Sequence, residues 1–135
     1  MNLKDHTFLD MGLNQKVISW IGMAMSSLVS LLFIMSAGMK LTNNPEAVKG
    51  MPHLGIPQHL MFPLGILEAT CLATYLIPKT STLGAILLTG YLGGAILAHL
   101  RIGEPVVMQV VIGIVIWAGL FLREPRLRQI LPFRK

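Results

Sequence analysis

Four apolar blocks, each long enough to cross a bilayer and none with a polar stripe, constrain this chain more than any motif in it. Residues 17–39 run 23 positions without a charge. Residues 57–77 carry only Glu68, with His59 near their start, and residues 81–100 carry only His99, at their end. Residues 105–122 carry no charge. Spanning the hydrocarbon core takes about 20 such residues as helix. A helix of a soluble bundle keeps a polar face towards water, and these blocks are apolar all round. Charged residues make up 13% of the chain, where a soluble domain carries roughly 25%. The expected fold class is therefore all-α, an integral membrane four-helix bundle.

The first block is too long for the apolar region of a signal peptide, roughly 7–15 residues, and follows sixteen polar-rich positions, so it reads as a retained helix. The expected organisation is an N-terminal segment over 1–16, a membrane domain over 17–122 with an outer loop at 40–56, and a basic tail over 123–135. Four spans put the N-terminus, the 78–80 turn and the tail on one side. That side collects Lys4, Lys16, Lys79, Arg123, Arg126, Arg128, Arg134 and Lys135, against Lys40, Lys49 and Arg101 on the other. The excess predicts that both termini are cytoplasmic. A basic tail beside a span is a topology determinant and a contact for anionic lipid, so the pI near 9.8 does not point to nucleic acid.

Short joins between spans two and three, and between three and four, make these helices antiparallel neighbours. The first outer loop, KLTNNPEAVKGMPHLGI, is longer and rich in turn signals. It is expected to fold back over the bundle as a cap.

Glu68 sits near the centre of its span. An ionisable group at that depth costs about 2.5–3.5 kcal/mol on insertion scales, faces the bundle interior and marks function by default. Burial favours its neutral form, which would donate a hydrogen bond to a ligand carbonyl or carry a proton. The alternative is that Glu68 only bonds to Ser or Tyr on a neighbouring helix. On span three, Tyr91, Ala95 and His99 share one face by their i, i+4, i+8 spacing. If the two faces meet, Glu68, Tyr91, His99 and Lys40 form a polar file descending from the outer surface, with Arg101 beside its mouth. Lys40, placed about 10 Å above the carboxylate by helical rise, otherwise reads as a snorkelling anchor.

Gly90, Gly94 and Ala98 form a small-residue stripe of the GxxxG type. It is expected to pack against another helix of the same chain, with a homodimer face as the alternative. Cys71 is the sole cysteine, which excludes an internal disulfide and a CxxC redox pair. His53, His59 and His99, without matching cysteines, do not make a metal motif. No phosphate loop, serine triad or dinucleotide fingerprint is present, and no covalently held cofactor is expected.

YLIPKTSTLGAILLTGYLGGAILAHLRIGEP, residues 75–105, closely resembles the signature of the DoxX-like membrane proteins of bacteria. The likeness extends to FIMSAGMKL, HLGIP and FLREPRLRQILP, and covers about residues 17–132. It implies a four-span protein of the inner membrane. Relatives in the wider group are linked to quinone-coupled oxidation of small sulfur compounds, oxidative-stress assemblies and methylamine oxidation. On the family pattern Lys40, Glu68, His99 and Arg101 occupy positions that tend to be polar. Three functions follow as alternatives: a redox or stress-system subunit that binds a quinone-like amphiphile and takes electrons from a partner protein, a small proton-coupled carrier working through Glu68, or a structural scaffold.

Overall fold

The computed structural model describes residues 3–130, with no side-chain account of residues 3–11, 13 and 130. Arg134 and Lys135 of the basic tail lie outside the described residues. Six α-helices follow one another: α1 (Leu3–Leu41), α2 (Pro45–His53), α3 (Met61–Leu76), α4 (Ser81–Leu100), α5 (Val107–Arg123) and α6 (Pro125–Ile130), with a 3₁₀ turn (Gln58–Leu60) leading into α3. Among the described residues there is no strand. The four apolar blocks are α1, α3, α4 and α5. They form a ring in which α1 packs on α3 and α5, and α4 closes the circuit between those two.

At 39 residues, α1 is about 58 Å long at 1.5 Å per residue, nearly twice the hydrocarbon core. Its apolar stretch is Asn14–Leu41. The segment before residue 17 thus continues the same helix and is not a separate unit. Gln58–Leu76 and Ser81–Leu100 are also long and apolar enough to cross a membrane. Helix α5, at 17 residues, is at the short end of the spanning range. Most large apolar side chains on the ring's outside are exposed, among them Trp20, Leu28, Ile34, Phe62, Ile86 and Ile114. That is the surface of a protein solvated by lipid.

Three glycines set the helix spacing. Gly22 of α1 and Gly119 of α5 face each other. A Cβ on Gly22 would lie 2.6 Å from the Arg123 backbone nitrogen, and one on Gly119 would lie 2.8 Å from Ser26 Oγ. Gly84 of α4 lies against α3, where a Cβ would land on the Tyr75 backbone. Without water between them, membrane helices gain from such close backbone approach. Around these contacts Val29, Leu72, Tyr75, Leu88, Ile116 and Leu120 form the core. The Tyr75 hydroxyl donates to Ile116 O at 3.1 Å and shares a 2.9 Å hydrogen bond with Ser26 Oγ, joining α3 to α5 and α1.

The basic tail is partly inward-facing. Arg123 Nη2 donates to Tyr75 O at 2.8 Å, and its guanidinium lies 4.5 Å from the Tyr75 ring centroid. Arg128 donates to the carbonyls of Phe121 and Leu122, and to Gln15 Oε1 at 3.0 Å. It thereby caps orphan carbonyls at the C-terminus of α5, where a cation is favoured. Arg123 thus ties α5 to α3, and Arg128 ties α6 to α1 and α5, so neither is simply displayed to lipid heads.

Candidate functional site

Helices α3 and α4 touch where Gly84 meets Tyr75 and stand apart towards their other ends. At Gly90 and Gly94 a Cβ would meet nothing within 4 Å. The space between is a cavity of about 720 Å³, inside the range of small-molecule sites. Its walls are apolar: Leu32 and Phe33 of α1, Leu64 and Leu67 of α3, Leu87 and Leu97 of α4, and Ile112 of α5. Met51, Leu54 and Ile56 form its roof.

Polar groups gather at one place in this lining. Lys40 Nζ donates to Glu68 Oε2 at 2.8 Å and to Ser36 Oγ at 2.6 Å. The carboxylate is 1% exposed. Tyr91 lies close enough to interact with the same carboxylate, and its ring lies 5.9 Å from Lys40 Nζ and edge-on to Phe33 at 6.2 Å. The local sequence explains how a lysine at the end of α1 reaches one turn down α3. Gly65 removes the side chain that would stand between them: a Cβ there would lie 3.1 Å from Lys40 Cβ and 3.0 Å from Leu41 Cγ. Lys40 therefore lies along α3, and its ammonium meets Glu68, three residues after Gly65.

Glu68 has a cationic partner that its place in the sequence does not reveal, Lys40 Nζ at 2.8 Å. The carboxylate lies against a primary ammonium, whose charge compensates it where the protein buries it. Lys40, expected above the carboxylate as an anchor, instead points inward. The polar file does converge in that Lys40, Glu68, Tyr91, His99 and Arg101 all line the one cavity. His99 does so from two turns beyond Tyr91 on α4, where its Nδ1 pairs with Ala95 O at 2.7 Å. Arg101 is exposed, its guanidinium beside Gly55 of the cap, whose φ of +71° puts the chain in the left-handed region that glycine adopts without strain. A Cβ at Gly90 or Gly94 would meet no other helix of this chain within 4 Å, and both, with Ala98, line the cavity. Sequence reasoning does not single out Gly65 or the bond from Lys40 to Ser36, because both roles depend on which way α1 and α3 are turned.

The outer loop folds back as the sequence suggests. Asn44 caps α2, its Oδ1 accepting from Glu46 N at 3.0 Å, and Met51 is buried against the bundle. His53 Nε2 and Glu104 Oε1 are 2.9 Å apart, and His99 Nε2 is 3.8 Å from Glu104 Oε2. Glu104 thus ties the cap to the turn between α4 and α5. His59 is exposed and does not line the cavity. Because the His53 side chain is 67% exposed, the tie is worth at most about 1 kcal/mol. Glu104→Gln should leave global stability nearly unchanged while speeding amide exchange over residues 45–56. Unaltered exchange there would mean that burial of Met51 and its apolar neighbours holds the cap alone.

Cys71 is buried and reaches the cavity lining next to Glu68. Among the described residues, no group of three or more His, Cys, Asp or Glu side chains is arranged to hold a metal ion.

No curated protein and no solved structure matches the chain. The model of the DoxX-like family matches residues 24–121, from within α1 through most of α5, and so includes every side chain of the cavity named above. With an apolar helical ring, a membrane-facing exterior and that match over most of its length, this membrane protein belongs to the DoxX-like family.

Proposed function

We propose that the protein binds a quinone-like amphiphile in the cavity and serves as a subunit or accessory factor of a redox or stress-response system in the bacterial inner membrane, with both termini cytoplasmic. The observation that carries this reading is the Lys40–Glu68–Tyr91 group within a cavity whose walls are mostly apolar. Such a site suits a ligand with a compact polar head and an apolar remainder. The ammonium and the phenol are donors for a carbonyl oxygen, and the carboxylate is an acceptor for a hydroxyl. The walls take the apolar part. The chain carries no cofactor-binding motif, so electrons would come from a partner protein.

A proton carrier would need a route from Glu68 to the opposite side. That route is filled by Val29, Leu72, Tyr75, Leu88 and Ile116, which favours a site that holds a ligand over one that passes protons through. A scaffold would have no use for so large a cavity beside a buried ion pair.

The test is native mass spectrometry with lipid extraction on protein in mild detergent, comparing wild type with Tyr91→Phe and Glu68→Gln. Tyr91→Phe keeps the ring against Phe33 and removes one hydrogen bond, so affinity for a retained quinone should fall by about 3–10-fold. Glu68→Gln disrupts the charge pair and should deplete the ligand further. Equal retention by all three proteins, or an empty cavity in all three, would reject the reading.

A further inference from the structure

The cavity is lined by all four membrane helices and by the cap. Met51, Leu54 and Ile56 cover it towards the cap, and the packed core around Tyr75 closes the opposite end. Helix α1 contributes Phe33, Ser36 and Lys40, with Leu32 at the edge 44% exposed, and Ile112 of α5 lies beside them. Most of the exposed lining lies on the flank between α3 and α4, with Leu32 of α1 and Arg101 exposed elsewhere on the rim. There, side chains that line the cavity also face outward: Leu60 is 39% exposed, Leu67 50%, Leu87 41% and Leu97 62%. Between them α4 presents Gly90 and Gly94, with open space where a side chain would stand. A residue that borders a cavity and also faces the outside marks an opening, and this opening has apolar edges.

We infer that the cavity loads sideways from the bilayer, through the gap between α3 and α4 whose α4 edge is Gly90 and Gly94, so that its occupant is an amphiphile drawn from lipid and not a solute drawn from water. This rests on the reading of the cavity as a ligand site. The small residues keep the gap clear; a larger side chain at either glycine would stand in it. A hydrated solute would have to lose its water against leucine edges, whereas a lipid-dissolved molecule has already lost it. The occupant enters with its polar head towards Lys40, Glu68 and Tyr91, and an apolar tail longer than the cavity remains in the gap, continuous with the surrounding lipid.

Cys71, the sole cysteine, borders the cavity and is only 3% exposed, so its alkylation reports access to the interior without any introduced label. Adjacent Gly93 supplies a matched control: it is equally open, but it does not line the cavity. The full chain in lipid nanodiscs is treated with N-cyclohexylmaleimide, which partitions into lipid, or with a sulfonated methanethiosulfonate, which does not. Wild type should react with the maleimide and resist the charged reagent. Gly94→Phe should slow the maleimide by about tenfold or more, a modest steric barrier on the rate scale, while Gly93→Phe should match wild type. Gly90→Leu provides the same test if Gly94→Phe melts below wild type.

Charged-reagent labelling as fast as maleimide labelling would overturn the inference, because access would then run past the cap. Wild-type labelling rates in both gap variants would also overturn it. So would loss of a dimer in Gly94→Phe with labelling unchanged, which would assign the stripe to helix association. Because no quinone enters the assay, portal-dependent labelling without quinone retention would leave the lateral opening standing and reject only the quinone.

Discussion

Lys40→Met should destabilise the protein by about 3–5 kcal/mol, the cost of leaving one member of a buried ion pair without its partner. Glu68 is 1% exposed and Lys40 Nζ is its 2.8 Å partner. Methionine keeps most of the lysine stem, and with it the packing beside Gly65, so the loss isolates the charge. The carboxylate then has to take up a proton or draw in water, and either response opens the cavity end of α3. Removing both charges in Lys40→Met with Glu68→Leu should restore stability to within about 1 kcal/mol of wild type or raise it, because well-packed apolar groups replace buried ion pairs at little cost. Thermal unfolding in one detergent, run on wild type, both single variants and the double variant, yields the coupling directly. Equal stability for Lys40→Met and wild type would mean that the pair contributes nothing to the fold. If the double variant is stable but empties the cavity of ligand, the pair is there for binding and not for folding.

Gly84→Ala should cost at least about 1–3 kcal/mol, the usual range for overpacking, and towards the upper end or beyond because the added atom meets backbone. Its Cβ would land on Tyr75, and the Thr74 carbonyl carbon is 2.6 Å away. Neither group can rotate aside. Helices α3 and α4 would have to part where Gly84 meets Tyr75, disturbing Tyr75 and its bonds to Ser26 and Ile116. Gly93→Ala in the same helix meets nothing and should be neutral or stabilising by up to about 1 kcal/mol through helix propensity. The difference between the two melting temperatures checks the argument. Equal effects would show that α4 does not approach α3 as described.

The two glycine sites show where sequence reading reaches its limit. GxxxG is a visible pattern, and it led to Gly90 and Gly94 as packing positions. The close contacts instead use Gly22, Gly84 and Gly119, which have no common spacing because two of them meet across separate helices. In a soluble helix the polar stripe tells which face turns inward. Here lipid and core are equally apolar, so helices of this composition carry no comparable signal of rotation. The same gap explains Glu68. Its inward direction followed from the cost of a charge in lipid, but its partner did not. Lys40 and Glu68 are 28 residues apart on different helices, and only the close approach at Gly65 brings the ammonium down to the carboxylate.

By itself the sequence determined the membrane setting, the four apolar helices, the cap and the family, because long uncharged blocks, turn residues and a local signature need no knowledge of which helix faces which. It also marked Glu68, Tyr91, His99, Lys40 and Arg101, since polar groups stand out against an apolar background. Only the tertiary structure decided that Glu68 is paired, that the small stripe borders a cavity, and that Arg123 and Arg128 turn inward. Each of these depends on helix rotation and depth, which arise from packing across the ring. Close packing depends on the shapes of side chains from distant parts of the chain, and no periodicity along one segment contains that information.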